Sequence, residues 1–279
     1  MANQLNKTIL ITGTSSGIGL ETAKIFQNQG WNVVATMRNP DQNSELAKLP
    51  NILCLPLDVT QTQTIQTAID GAIARFGTID ALVNNAGYGL IGVFEACSPE
   101  EIERQFATNV FGLMAVTRGI LPHFRDRKQG ILVNIASIGG KMVLPLYSPY
   151  HSTKWAVEGF SESLHFELKQ FNIKVKIIEP GPIKTDFYGR SMTVSQKPGL
   201  TDYDDYSNRV LPQLQQAGAG SPPSVTAKVI YRAVTDGSWK LRYPAGGNAS
   251  LLLTLRKFLP DVLFHSIIKA GLEREAAPR

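Results

Sequence analysis

The sequence predicts an α/β protein with one mostly parallel, seven-stranded sheet that is doubly wound, with helices on both faces. Short apolar runs alternate along the chain with stretches of helical periodicity, which is the order that βαβ units produce. These runs are typical of strands buried on both sides. The 279 residues, 43% hydrophobic and 18% charged, suit a single domain over 1–279, without internal repeats or a domain boundary.

The first half of the chain opens this pattern with four strands and two helices. A glycine-rich turn over 13–19 joins the first strand to the first helix. Glycine follows each helix, as is common at helix C-termini. The strands are expected at 7–11, 32–37, 52–57 and 81–83, and the helices at 20–29 and 61–76.

The second half continues the alternation. Ser98 at an N-cap, Pro99 after it and Glu101 three residues on predict the start of a helix that stops near 122–125. The next helix begins at Tyr150 and runs to about residue 170. Further strands are expected at 130–135, 174–179 and 240–243, and a further helix at 224–235.

Two segments depart from this regularity. Residues 188–223 are polar and rich in Gly, Pro, Ser and Asp, with a short periodic piece at 210–214, which predicts a substrate lid or, equally, a plain surface loop. Residues 249–272 form a Leu- and Phe-rich tail, helical with a break at Pro260. This tail could cap the substrate cleft, pack on another subunit or make peripheral contact with a membrane.

Composition argues against several classes of function. The net charge of +5 is spread along the chain, with no basic run longer than 125–128, so nucleic acid is a weak hypothesis. Cys54 and Cys97 lack a CxxC spacing and histidine is sparse, which favours reduced thiols and no metal site. With a polar N-terminus and no apolar stretch of ~18 residues, a cytoplasmic protein without a transmembrane segment is expected.

The turn over 13–19 has the context of a phosphate-binding site. It follows a strand and opens a helix, so its glycines let the backbone approach a pyrophosphate while the helix N-terminus supplies N–H donors. Its spacing is GxxxGxG rather than the common GxGxxG. A tight strand-to-helix turn without a ligand is the alternative.

The end of the second strand bears on which dinucleotide is bound. An acidic side chain there would hold the ribose of NAD, but this chain has Met37 followed by Arg38. Arg38 could pair with a 2′-phosphate and stack on adenine, which favours NADP(H) over NAD(H). A solvated arginine is the competing interpretation. Asp58 could accept from the adenine amine or cap the following helix.

Tyr150 and Lys154 are spaced for acid–base chemistry. On a helix they stand at i and i+4 on one face. A fixed cation lowers the pKa of a nearby phenol toward the working pH, where a general acid or base is most effective. A buried tyrosine beside a solvated lysine would have the same spacing. His151 points about 100° around the helix and is expected to be packed or solvated.

Taken together, these motifs resemble the short-chain dehydrogenase/reductase family, in its shorter branch, over roughly 7–185. The resemblance is closest to hydroxysteroid and retinol dehydrogenases and carbonyl reductases, and it implies a Rossmann-type sheet. The matching residues are those at 12–19, Asp58, 84–87, Asn109, Ser137, Tyr150 with Lys154, and 180–185.

The resemblance implies a role for each matching residue. Tyr150 would exchange a proton with the substrate oxygen, and Ser137 would orient that oxygen. Lys154 would lower the pKa of Tyr150 and hold the nicotinamide ribose. Asn109 would hold a water linked to Lys154. The implied cofactor-binding residues are Gly13, Ser15, Ser16, Gly17, Ile18, Gly19, Arg38, Asp58, Val59, Asn85, Ala86, Gly87, Tyr150, Lys154, Pro180, Gly181, Ile183 and Thr185. The expected substrate residues are Ser137, Val143, Leu144, Tyr147, Tyr150 and Phe187.

The apolar and aromatic substrate set favours a hydrophobic or cyclic compound. The predicted function is an NADP(H)-dependent oxidoreductase that interconverts a ketone or aldehyde and an alcohol. A non-catalytic NADP(H)-sensing regulatory protein on the same fold is the alternative, although such a protein would usually lack Tyr150 or Lys154. By resemblance, the helices that carry Asn109 and Tyr150 would pair between subunits in a homodimer or homotetramer.

Overall fold

The computed structural model describes residues 6–42, 44–184, 192–217 and 220–272. In chain order the strands are β1 Thr8–Thr12, β2 Asn32–Met37, β3 Ile52–Pro56, β4 Ala81–Asn84, β5 Gly89–Ile91, β6 Gly130–Ile135, β7 Ile173–Pro180, β8 Met192–Val194 and β9 Arg242–Ala245. The helices are α1 Gly17–Asn28, α2 Ser44–Ala47, α3 Thr62–Phe76, α4 Pro99–Phe106, α5 Leu113–Arg127, α6 Ser148–Leu168, α7 Asp204–Ala217, α8 Pro223–Thr235, α9 Ala249–Phe258 and α10 Asp261–Leu272.

Seven strands form one sheet in the order β3-β2-β1-β4-β6-β7-β9, and every neighbouring pair is parallel. The predicted sheet is therefore confirmed. The chain runs outward from β1 in one direction and from β4 in the other, so the strand order reverses between these two strands. In open α/β sheets, ligands bind in the crevice at the carboxyl ends of the strands at such a point.

The sheet is covered on both faces because successive side chains of each strand point to opposite sides. Ile9 and Ile11 of β1 belong to one buried cluster, which also contains Phe26 of α1 and Ile230 of α8. Leu10 belongs to the other cluster, together with side chains of α3, α5 and α6. A run of consecutive apolar residues is thus the sequence pattern that a doubly covered strand needs.

The predicted helix boundaries at Ser98 and Gly77 are present as physical caps. The Ser98 hydroxyl accepts a hydrogen bond from the Glu101 amide at 3.2 Å, and the Glu101 carboxylate accepts one from the Ser98 amide at 2.9 Å. Gly77 ends α3 with a φ of 78°. Glycine adopts this left-handed conformation without a Cβ penalty.

Several elements differ from the expectation. The last strand lies at 242–245 rather than 240–243, because Tyr243 and Ala245 are the side chains that it buries. A π-helical turn over 107–112 joins α4 to α5. The short periodic piece at 210–214 is the buried stripe of a 14-residue helix, α7, whose other face is polar.

A second small sheet was not predicted. β5 and β8, of three residues each, pair in parallel beside the main sheet, and Ser195 donates its amide to the Ile91 carbonyl at 2.8 Å. Of the expected lid, 188–191 and 218–219 lie outside the described residues. The tail at 249–272 consists of α9 and α10, with Leu259 and Pro260 between them. No helix in the described ranges is long and apolar enough to span a membrane.

Candidate active site

A cleft of about 810 Å³ opens at the carboxyl edge of the sheet, where the strand order reverses. The turn after β1 and the ends of β2, β4, β6 and β7 all contribute to its walls, and α6 supplies one side. Most of the predicted site residues line it together: Gly13, Ser15, Ser16, Gly17, Ile18, Arg38, Asp58, Val59, Asn85, Ala86, Gly87, Ser137, Leu144, Tyr147, Tyr150, Lys154, Pro180, Gly181 and Ile183.

Three predicted residues do not line this cleft, and two lie outside the described residues. Gly19 packs beneath the glycine turn, Asn109 is buried behind the cleft, and Val143 lines a neighbouring cavity. Thr185 and Phe187 belong to the undescribed segment 185–191.

Lys154 is held beside Tyr150 by the fold of α6 over β6. Its Nζ donates to the Ile135 carbonyl at 2.9 Å and lies 5.7 Å from the centre of the Tyr150 ring. Burial lowers the pKa of Lys154 to about 8, and the Glu158 carboxylate opposes that lowering. The ammonium is thus fixed next to the phenol and titrates near the physiological range.

Ser137 comes immediately after β6 and faces the same cleft. Its Oγ accepts a hydrogen bond from the Gly139 amide at 3.0 Å, and its hydroxyl points toward the Pro180 carbonyl at 3.5 Å. The amide fixes the oxygen, whereas the contact to Pro180 is long for an O–H donor. The hydroxyl hydrogen can therefore turn to an oxygen that enters the cleft.

The glycine turn is built for close approach of the backbone. Gly13 has a φ of +71°, and a Cβ there would lie 2.9 Å from Cα of Ala86. A Cβ at Gly19 would lie 2.3 Å from the Gly13 carbonyl oxygen and 2.5 Å from Nδ2 of Asn85. Gly19 therefore allows the turn to close rather than forming the cleft wall, which corrects its expected role.

The amide of Asn85 completes this turn, because its Nδ2 donates to the carbonyls of Thr12 and Gly13 at 2.9 Å each. The N-terminus of α1, at Gly17, faces the cleft and has no acidic residue in its first turn. The donors and the positive potential of this terminus suit a phosphate group.

At the end of β2, Met37 is buried and Arg38 is exposed at the cleft. Asp58 also lines the cleft, but its Oδ1 accepts from the amide and hydroxyl of Thr60 at 2.9 and 2.7 Å. Asp58 does not cap α3, whose N-cap is Gln61. The capping alternative for Asp58 is therefore wrong.

Asn109 lies in the π-helical turn, and its side chain joins two segments of the chain. Its Nδ2 donates to the Tyr88 carbonyl at 2.9 Å and to Oγ1 of Thr153 at 3.2 Å, and its Oδ1 accepts from the Tyr88 amide at 3.0 Å. Thr153 in turn donates to the Tyr150 carbonyl at 2.7 Å. Asn109 thus fastens the segment after β4 to α6, and its water link to Lys154 stays a prediction.

His151 is packed, one of the two expected outcomes. It is buried and stacks on Tyr147 with ring centres 5.3 Å apart, and its Nδ1 accepts from the Leu144 amide at 3.2 Å. Burial lowers the pKa of His151 to about 4. The imidazole is therefore neutral at physiological pH and acts as part of the wall.

A group of buried charges behind Lys154 was not predicted. Glu158 and Glu179 are each 2% exposed. Arg242 contacts Glu158 at 3.0 Å and Glu179 at 3.9 Å, and Lys141 reaches Glu158 at 3.5 Å. Burial and the neighbouring Glu158 raise the pKa of Glu179 to about 7.

The sequence contained one indication of this group of buried charges. Glu158 stands one turn beyond Lys154, next to the buried Val157 of the same helix.

Thr193 of β8 is a further cleft residue that sequence reasoning missed, because a three-residue strand leaves no pattern. Among the described residues, no cluster of His, Cys, Asp and Glu could hold a metal ion.

Comparison with known proteins gives a consistent result. The sequence model of a family described as short chain dehydrogenase matches residues 7–194. An uncharacterized oxidoreductase of Schizosaccharomyces pombe is 40% identical over 82% of this chain and 96% of its own length. A 3-ketodihydrosphingosine reductase of Bacteroides thetaiotaomicron is 34% identical (91% and 93% covered), and retinol dehydrogenase 8 of Bos taurus is 33% identical (91% and 86%).

Solved structures agree with these relatives. A short-chain dehydrogenase from Streptomyces avermitilis superposes with a TM-score of 0.81 at 33% identity, covering 95% of this chain and 96% of that one. The structure of ElxO with NADP bound superposes with a TM-score of 0.73 at 26% identity, covering 88% and 99%.

Proposed function

The chain belongs to the short-chain dehydrogenase family of oxidoreductases, and on this basis we propose that it interconverts a hydrophobic ketone or aldehyde and the corresponding alcohol with NADP(H). The observation that carries the proposal is the meeting of Ser137, Tyr150 and Lys154 in the cleft that the glycine turn also lines. A proton donor, a fixed cation and a second hydroxyl then face the same space as a phosphate-binding backbone.

The residues present fit a dinucleotide. The turn leaves no room for a Cβ at Gly13 or Gly19, and the N-terminus of α1 points into the cleft. Arg38, with no acidic residue at the end of β2, supports a 2′-phosphate on the ribose. Pro180, Gly181 and Ile183 would flank the nicotinamide, and we propose that Thr185 contributes to binding of the same nicotinamide group.

The nicotinamide, when bound, supplies or accepts the hydride. Tyr150 donates its phenolic proton to the substrate oxygen in reduction and takes it back in oxidation. Lys154, fixed by the Ile135 carbonyl, stabilises the phenolate that remains. Ser137, whose Oγ is held by the Gly139 amide, donates to the same substrate oxygen and orients it. Asn109 acts through Thr153, which holds the Tyr150 segment of α6 in place.

The substrate side of the cleft is apolar. Leu144 and Tyr147 line it beside Tyr150, together with Leu90 and Ile138. Such walls favour a hydrophobic compound with few polar groups. The names of two relatives, a 3-ketodihydrosphingosine reductase and a retinol dehydrogenase, support the same substrate class.

We also infer a homodimer or homotetramer. Phe111 in the π-helical turn and Phe166 on α6 are 62% and 74% exposed, respectively. Large aromatic side chains at the surface are typical of subunit contacts. Replacement of Phe166 by aspartate, followed by sedimentation, tests whether this face joins subunits.

The nucleotide preference is tested by replacing Arg38 with alanine. The variant should lose about 10- to 100-fold in kcat/KM for NADPH and little for NADH, because one charge-assisted contact to a phosphate is removed. Arg75→Ala, an exposed arginine on α3 outside the cleft, is the control. Equal losses with both nucleotides would contradict the 2′-phosphate assignment.

The catalytic assignment is tested with Tyr150→Phe over a panel of aldehydes, cyclic ketones, steroids and quinones. General acid–base catalysis contributes about 10²- to 10⁴-fold, so kcat should fall by that factor while NADPH binding persists. Tyr231→Phe, which removes a hydroxyl from a ring packed on Phe26, should keep full activity. A nucleotide-sensing protein would bind NADPH without turnover in either form.

A further inference from the structure

A second cavity, here called the side cavity, lies next to the cleft and has a volume of about 650 Å³. It is bounded by the loop before α6, the first turns of α6, Tyr206 of α7 and one face of α10. Its lining residues are Val143, Leu144, Pro145, Ser148, His151, Ser152, Trp155, Tyr206, His265, Ile268, Lys269 and Leu272. Its volume is within the range of roughly 300–1,000 Å³ that is typical of small-molecule sites.

The side cavity and the catalytic cleft share one lining residue, Leu144. Leu144 lines both spaces, and it packs against the buried cluster that contains Tyr147 and against the one that contains Phe264 of α10. Leu144 also donates its amide to His151, whose ring stacks on Tyr147. Leu144 therefore lies between the two spaces, next to the stacked rings of Tyr147 and His151.

The chemistry of this cavity is that of a hydrocarbon site. Most of its lining is aliphatic or aromatic, including Val143, Leu144, Trp155, Ile268 and Leu272. His151 is neutral because burial lowers its pKa to about 4, so it adds no charge. The lining contains no acidic side chain, and its one lysine, Lys269, lies on α10 together with His265.

We propose that the side cavity binds the aliphatic chain of a long-chain carbonyl substrate whose carbonyl group lies at Tyr150. This inference rests on the proposed function, which requires only that the carbonyl reach Tyr150, and it adds the class of substrate. A short ketone would stay within the cleft. A longer one would pass Leu144 and bury its additional methylenes against Trp155 and Ile268.

The first test is a series of straight methyl ketones from 2-pentanone to 2-tridecanone with NADPH, each kept below its solubility limit in water. Each methylene that enters the cavity should raise kcat/KM about fourfold, which is the burial of one CH₂ at ~0.8 kcal/mol. The rise should continue until the cavity is full. A flat series would overturn the inference and leave the proposed function standing.

Neighbouring isoleucines on α10 provide a matched pair of variants. Ile268 lines the cavity, whereas Ile267 is 49% exposed on the outer side of the same helix. Ile268→Trp should abolish the gain for long ketones and leave 2-pentanone within about twofold of wild type. Ile267→Trp should leave the whole series unchanged. Equal effects of the two variants would overturn the inference.

A binding measurement separates this inference from the catalytic proposal. Bromine quenches tryptophan on contact, so 11-bromoundecan-2-one should quench Trp155 in the presence of NADP⁺, and 5-bromopentan-2-one should not. Trp155→Phe gives the background of the other tryptophans. Quenching without any turnover would support the chain site and refute the enzyme assignment. Turnover without quenching by the long ketone would refute the chain site and support the enzyme assignment.

Discussion

Replacing Glu158 with glutamine should lower the pKa of Lys154 well below its value of about 8. The two side chains stand one turn apart on α6, and Lys154 is 9% exposed whereas Glu158 is 2% exposed. Burial disfavours the ammonium, and the carboxylate of Glu158 is the charge that counteracts this effect. Without that charge, desolvation acts on Lys154 unopposed.

The size of the shift follows from helix geometry. Side chains at i and i+4 are about 5–6 Å apart at Cβ. Two charges roughly 6–7 Å apart, at an effective dielectric constant near 20, interact by about 2.5 kcal/mol, or nearly two pKa units. Arg242 and Lys141 share the charge of Glu158, and burial raises its own pKa, so a shift of about 1–2 units is expected.

The assay is a titration of the lysine ¹³Cε signal by NMR, with Lys154→Arg to assign it. Glu162→Gln is the matched control, because Glu162 also binds Arg242, at 2.7 Å, but is 48% exposed and lies two turns from Lys154. A Lys154 midpoint that stays at its wild-type value in Glu158→Gln would refute the reasoning. So would an equal shift in Glu162→Gln.

Two further predictions concern the turn and the buried acid. Because burial raises the pKa of Glu179 to about 7 from an ordinary value near 4.5, the folded protein binds its proton more tightly than the unfolded chain. Stability should therefore fall as pH rises from about 4.5 through 7. In urea unfolding at pH 5 and 8, Glu179→Gln should reduce this decline in the free energy of unfolding by about 2 kcal/mol. An equal decline in the variant and in the wild type would contradict the account. Gly19→Ala should weaken NADPH binding at least about tenfold and destabilise the fold by about 1–3 kcal/mol, since its Cβ would overlap the Gly13 carbonyl. Gly159→Ala, with open space around it on α6, should be neutral or stabilising, and equal losses in both would show that crowding at Gly19 is not the cause.

The features that local chemistry dictates were predictable from the sequence. The apolar runs of the main sheet and the caps at Ser98 and Gly77 follow from spacing and propensity alone. The glycine turn and the Tyr150–Lys154 pair are likewise contained within a few consecutive residues. Each of these features could be located from the residues adjacent to it in the sequence.

The features that were missed depend on contacts between distant segments. β5 and β8 are strands only because they pair with each other, about 100 residues apart. Glu158 and the three charges grouped with it, Lys141, Glu179 and Arg242, come from four separate parts of the chain. The π-helical turn directs the amide of Asn109 to Tyr88, which helical spacing could not indicate.

The pairing of β5 with β8 has a consequence for how substrate enters. Glu101 accepts from the amide of Ser98 as part of the cap of α4, and it also accepts from the hydroxyl of Ser195, just after β8. One carboxylate thus ties the start of α4 to β8, whose Thr193 lines the cleft. Detaching β8 to widen the cleft would loosen the beginning of α4 as well, so opening of the cleft on this side and fraying of that helix become one cooperative event.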